Sequence, residues 1–228
     1  WLGSMGLIDF AGGTVVHVTA GVGALVTALV IGQRKEFGQT ATLPHNLTMS
    51  FTGAAMLWVG WFGFNAGSAL AADGAAGMAL FVTHISAATG ALTWMVIEWL
   101  KFGKPSGLGA ITGMVAGLAT ITPASGSVGP AGGLLVGLAG GIICYYATTY
   151  LKQNLKIDDS LDVFPVHGVG GMVGTFLAGI LVSSNLGIFS GNGLADGMTI
   201  GSQVGVQVTG ILATGIYTAI VTFILLKV

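Results

Sequence analysis

Seven long stretches of this chain, at 10–33, 46–71, 76–100, 106–124, 128–151, 163–183 and 201–226, contain a single charged residue between them, Glu98. A bilayer core about 30 Å thick takes about 20 mostly apolar residues per crossing helix. Each stretch approaches or exceeds that length, so the expected fold is an all-α integral membrane protein with seven transmembrane helices. Barrel strands are excluded because they alternate polar and apolar residues, and these runs do not. The stretch at 106–124 is the weakest of the seven, because Pro123 interrupts its end.

The rest of the composition points the same way. Seven Lys and Arg and eight Asp and Glu make 7% charge in 228 residues, against about 25% in soluble domains. A water-facing surface cannot be built from so few charges, and 53% hydrophobic residues exclude a disordered chain. A net charge of −1 excludes a polybasic nucleic-acid binder. One cysteine, Cys144, excludes a disulfide framework or a cysteine-built metal site, and no residue set points to an enzyme, a metal or a cofactor.

Orientation follows from the basic residues. Arg34 and Lys35, Lys101 and Lys104, Lys152 and Lys156, and Lys227 all fall on one side of seven alternating spans. Positive loops stay in the cytoplasm, which places the first residues outside and the last inside. The other side carries Asp9, Asp73 and Asp196. The chain begins at Trp1, without Met, almost directly at a span; the expectation is that further sequence precedes it. The first segment lacks the basic start and cleavage pattern of a signal peptide.

Forty glycines are present, and many recur every four residues: Gly109, Gly113 and Gly117; Gly133, Gly137 and Gly141; Gly170 and Gly174. Small residues at this spacing let helix backbones touch in lipid, so a tightly packed bundle is expected.

Ionisable groups within a membrane are costly and mark sites. Asp9 opens the first span and reads as its N-cap. His17 lies eight residues further in, and His167 enters the sixth span from the opposite side, five residues after Asp162. Two antiparallel helices, each with an aspartate shortly before a histidine, are what an inverted repeat with a midplane site would produce. Counting residues does not bring the rings together, and a satisfied core histidine remains an open reading for each. His45 falls in a cytoplasmic loop, and His84 takes a packing or subunit-contact role. Leu57, Trp61, Phe64 and Ser68 share one face of the second span by their spacing. That face is either an aromatic packing stripe or a conduit with a polar mouth.

Family blocks run through the same residues. Asp9-Phe10-Ala11-Gly12-Gly13 leading to Ile31-Gly32-Gln33-Arg34, Pro44-His45-Asn46-Leu47, Trp58 to Ser68, Lys104-Pro105-Ser106, Ile121-Thr122-Pro123-Ala124 and Asp162 to Gly168 occur in order over nearly the whole chain. The sequence resembles ammonium transporters of the Amt/Mep/Rh type. The resemblance implies an eleven-span fold of two inverted five-helix repeats and a final helix, with these seven helices as its fifth to eleventh spans. Residues 1–33 would close the first repeat, 46–183 would form the second, and 201–228 would add the last helix, all in one transmembrane domain.

It also implies roles. His17 and His167 would be paired pore histidines, Phe64 an outer gate, and Ser68 part of a cation-recruiting mouth that Asp9 supports. Trp61 and Leu57 would line the pore, with Thr112, Thr122 and Val163 as weaker lining candidates. The function implied is ammonium transport across the plasma membrane: NH₄⁺ recruited outside, deprotonated, and conducted as NH₃. The implied partners are ammonium or ammonia, the lipid bilayer, two further copies in a homotrimer, and a PII-type signalling protein at the cytoplasmic face.

Rival readings are an ammonium sensor on the same scaffold and an unrelated heptahelical receptor. A retinal protein would need a lysine in mid-helix, and 201–226 has none. A water or glycerol channel would carry a filter arginine, and Arg34 lies in a loop instead.

Overall fold

A computed structural model describes residues 1–39 and 44–228. Its seven main helices are α1 (Gly13–Ile31), α2 (Leu47–Gly67), α3 (Gly74–Phe102), α4 (Gly107–Ile121), α5 (Pro130–Asn154), α6 (Phe164–Leu181) and α7 (Ile200–Leu225). All but α4 are long and apolar enough to cross a membrane. Local chemistry sets the starts. Asn46 accepts from the Met49 N–H at 2.9 Å, Asp73 from Ala75 and Ala76, and Thr199 closes a reciprocal cap with Ser202. Each cap satisfies an N–H that helix geometry leaves free.

The α4 helix has 15 residues, roughly 22 Å at 1.5 Å per residue, and stops short of the stretch expected at 106–124. Pro123 cannot donate to the ladder, and the chain turns. The turn lies deep in the protein. Ser125 and Ser127 are buried and donate to the carbonyls of Thr122 and Ala124. Irregular backbone removed from water is stable where its polar groups find partners within the protein.

Helices α3, α4 and α5 form the tightest part of the bundle, with α2 against α3 and α4, and α1 against α6 and α7. The glycine rows lie in these seams. A Cβ on Gly117 would sit 2.2 Å from the Ser86 carbonyl oxygen, and one on Gly137 2.5 Å from the same oxygen.

Ahead of α1, the segment Gly6–Phe10 is tied to its neighbours through its backbone. Gln207 of α7, fully buried, accepts from the Ile8 N–H at 2.8 Å and donates to the Ile8 carbonyl at 2.7 Å. Gln203 donates to the Gly6 carbonyl, and the Phe10 N–H reaches the Pro123 carbonyl. Two amide side chains in an apolar helix thus stand in for a partner strand.

Candidate functional site

Helices α1 and α6 meet where neither has a side chain. A Cβ on Gly21 would fall 2.2 Å from Gly168 Cα, and one on Gly171 2.6 Å from the Gly13 carbonyl oxygen. This approach brings His17 and His167 together: their Nδ1 atoms are 3.1 Å apart and their ring centroids 5.1 Å. His17 is buried, and His167 is half-buried.

Both histidines stand on wide, π-helical turns, Gly13–Val18 in α1 and Phe164–Val169 in α6. Such turns are rare and concentrate at functional sites. The aspartates before them repeat too. Asp9 accepts from the N–H groups of Thr14 at 3.1 Å and Val15 at 3.3 Å, and from the Thr14 hydroxyl. Asp159 accepts from the Phe164 N–H at 2.7 Å. Asp159 lies eight residues before His167, as Asp9 lies eight before His17. The counterpart of Asp9 is therefore Asp159 and not Asp162, which pairs with Lys152 at 2.7 Å. The equal spacing is present in the sequence, where Asp162 stands nearer to His167 and masks it.

Trp61 covers the pair. Its ring stacks on His17 at 5.2 Å and 19° and reaches His167 at 6.3 Å and 14°. Its Nε1–H donates to Thr122 Oγ1 at 3.0 Å, and the same hydroxyl lies 3.2 Å from His17 Nε2. Phe64 stands 6.0 Å from His17 and is 38% exposed.

Two cavities border the pair. One of about 660 Å³ is lined by Val16, Leu57, Trp61, Phe64 and Val163 with both histidines. The other, of about 390 Å³, is more polar; Thr112, Asp162 and Arg34 line it, and His167 borders it as well. Thr112 back-bonds to Leu108 at its wall.

Ser68 ends α2 outside both cavities, with its hydroxyl on the Phe64 carbonyl at 2.8 Å. Asp9 sits at the head of α1, away from the cavity linings. The structure thus gathers His17, His167, Trp61, Phe64, Leu57, Val163 and Thr122 around one point. Thr112 lies in the second cavity, and Ser68 and Asp9 lie at the periphery.

The Ammonium Transporter Family matches residues 1–228. The chain belongs to the ammonium transporter family. It is 42% identical over its full length to the ammonium transporter of Bacillus subtilis, covering 55% of that protein. It is 44% identical to ammonium transporter Amt1 of Archaeoglobus fulgidus, covering 56% of it. Among solved structures, Saccharomyces cerevisiae Mep2 superposes with a TM-score of 0.86 at 40% identity, over 99% of this chain and 53% of that one. A structure described as a sensor Amt protein superposes with 0.89 at 30% identity, over 100% and 56%. The chain spans about half the length of the relatives it matches. The relatives are named transporters, not enzymes. Family membership and the long apolar helices together make this chain an all-helical, multi-pass membrane protein of the ammonium transporter fold.

At the polar end, Arg34 grips Asp158 by two side-chain bonds, 2.8 Å from Nε and 2.6 Å from Nη2, and by its own N–H at 2.8 Å. The hydrogen bond from Arg34 holds the Asp158 carboxyl below the usual carboxylate range. This clamp joins the end of α1 to the segment that leads into α6.

Proposed function

We propose that the intact protein carries ammonium across the plasma membrane, with the His17–His167 pair at the centre of an apolar conduit. Moving an ion into low dielectric costs of order 20 kcal/mol in the Born limit, and several after relaxation. A passage walled by Leu57, Trp61 and Phe64 therefore rejects bare Na⁺ and K⁺, and neutral NH₃ avoids that cost. In this reading NH₄⁺ gathers at an outer mouth near Phe64 and Ser68, whose ring and hydroxyl supply cation–π attraction and an acceptor. Asp9 holds the head of α1 beside it. NH₄⁺ gives its proton to water at that mouth, and NH₃ passes the histidines, which offer a donor and an acceptor in a dry channel. Val163 contributes to the wall of the apolar cavity and Thr112 to that of the polar one; Thr122, expected as pore lining, is fully buried, lines neither cavity, and acts behind the pair through His17 and Trp61.

The carrying observation is the 3.1 Å contact between two imidazoles at the edge of a largely apolar cavity. The matched eight-residue spacing from Asp9 to His17 and from Asp159 to His167 supports two inverted repeats. By family resemblance 1–33 closes the first, 46–183 is the second, and 201–228 is the additional helix. The basic loops face the cytoplasm. A homotrimer, and a PII-type regulator on the basic face, complete the proposal by family resemblance.

The test is uptake of labelled methylammonium into liposomes holding the intact protein. His17→Ala and His167→Ala should each change the rate or the selectivity over K⁺. Wild-type uptake and selectivity in both variants would remove the pair from the mechanism. The sensor Amt likeness supports a second reading, ammonium sensing on the same scaffold. It predicts saturable ammonium binding with no flux in the same liposomes.

A further inference from the structure

Two imidazoles that share one N–H···N bond can be arranged in two ways, with the proton on either Nδ1, and nothing in the pair itself chooses between them. The Thr122 hydroxyl chooses. It has one proton and two lone pairs. Its proton has a short acceptor in the Leu118 carbonyl, 2.8 Å away. Trp61 Nε1 can only donate, and it does so to this hydroxyl at 3.0 Å. His17 Nε2 approaches the same oxygen at 3.2 Å. With the proton of Thr122 directed at Leu118, His17 Nε2 must carry a hydrogen to make that contact.

We infer that Thr122 is a positioning residue that sets the tautomers of the pair. His17 carries its proton on Nε2 and accepts at Nδ1; His167 carries its proton on Nδ1 and donates. Among the described residues, the pair then has one unshared lone pair, on His167 Nε2. His167 borders both cavities and His17 only the apolar one. The resting pair therefore accepts a hydrogen bond or a proton at His167, not at His17. This consequence rests on the transport reading; the tautomers themselves do not.

The experiment is ¹⁵N NMR of the histidine-labelled intact protein in lipid, without ammonium, at a pH where the rings are neutral. Protonated and bare ring nitrogens differ widely in shift, and His17→Ala and His167→Ala assign the signals. The wild type should show His17 with its hydrogen on Nε2, in an excess of roughly fivefold or more, the ratio one net hydrogen bond of about 1 kcal/mol supports. Thr122→Val should reduce that excess severalfold, and Thr122→Ser should keep it. A wild-type His17 with its hydrogen on Nδ1, or an unaltered ratio in a folded Thr122→Val, overturns the inference. Should Thr122→Val not fold, the wild-type spectrum alone decides. A protein with these tautomers but no flux would overturn the transport reading and leave the inference standing.

Discussion

Trp61 joins three parts of the site through one side chain. Its ring lies over both imidazoles, its Nε1–H reaches Thr122, and it is 6% exposed. An indole in this position fixes the height of the pair relative to α4, because any shift of α2 breaks the bond to Thr122. Trp61→Phe keeps an aromatic face and removes the donor. Losing one net hydrogen bond costs about 1 kcal/mol, so the variant should unfold a few degrees below the wild type in detergent. An unchanged transition would mean that the bond contributes nothing. Phe64 behaves differently at the same scale: with 38% of its surface open, it borders the cavity more than it supports the core.

The seams between helices depend on glycine, and the consequences of adding one methyl group differ sharply by position. At Gly117 the new Cβ would meet the Ser86 carbonyl oxygen at 2.2 Å, and at Gly21 the Gly168 backbone at 2.2 Å. Backbone cannot move aside as a flexible side chain can. Gly117→Ala and Gly21→Ala should therefore lower stability by about 1–3 kcal/mol, the range for overpacking, with less monodisperse protein in size-exclusion chromatography. Gly63, on the exposed face of α2, has open space around it. Gly63→Ala should be neutral or stabilising by up to about 1 kcal/mol through helix propensity. Equal loss in all three would argue against the seams. The four-residue glycine rows were legible in the sequence as packing surfaces. The Gly21–Gly168 crossing was not, because neither glycine belongs to a four-residue row and nothing along the chain pairs two positions so far apart.

Across the whole molecule, polar contacts join segments far apart in sequence. The Arg34–Asp158 clamp spans 124 positions. Because Asp158 titrates below its unfolded value, the clamp's contribution is complete above the ordinary carboxylate range and fades as pH falls through the lowered folded-state value. Asp158→Asn should lower the melting temperature at neutral pH, and the gap to wild type should close in acid. A gap that persists at the lowest pH would show that the carboxylate's charge is not responsible. The contribution is modest, since the Arg34 side chain is 48% exposed. The proposed orientation is open to a direct check. A cysteine at Gly193 should react with an impermeant maleimide in intact cells, and one at Lys104 only after permeabilisation. The reverse pattern would invert the topology. Cys144 is buried and leaves the background low.

Hydropathy, charge placement and short ordered blocks are properties of neighbours along the chain, so the sequence by itself determined the helical membrane class, the number of helices and the family. It also held the candidate residues, Thr122 among them, because a side chain's type needs no fold to be read. What only the tertiary structure decided was rotation and depth between helices. It set the contact between the two Nδ1 atoms, the stacking of Trp61, the hydroxyl that His17 and Trp61 share, and the choice of Asp159 over Asp162. Those outcomes depend on backbones meeting at paired glycines, and on π-helical turns that shift the angular position of a histidine. Neither the 3.6-residue period nor the count of apolar residues contains that information.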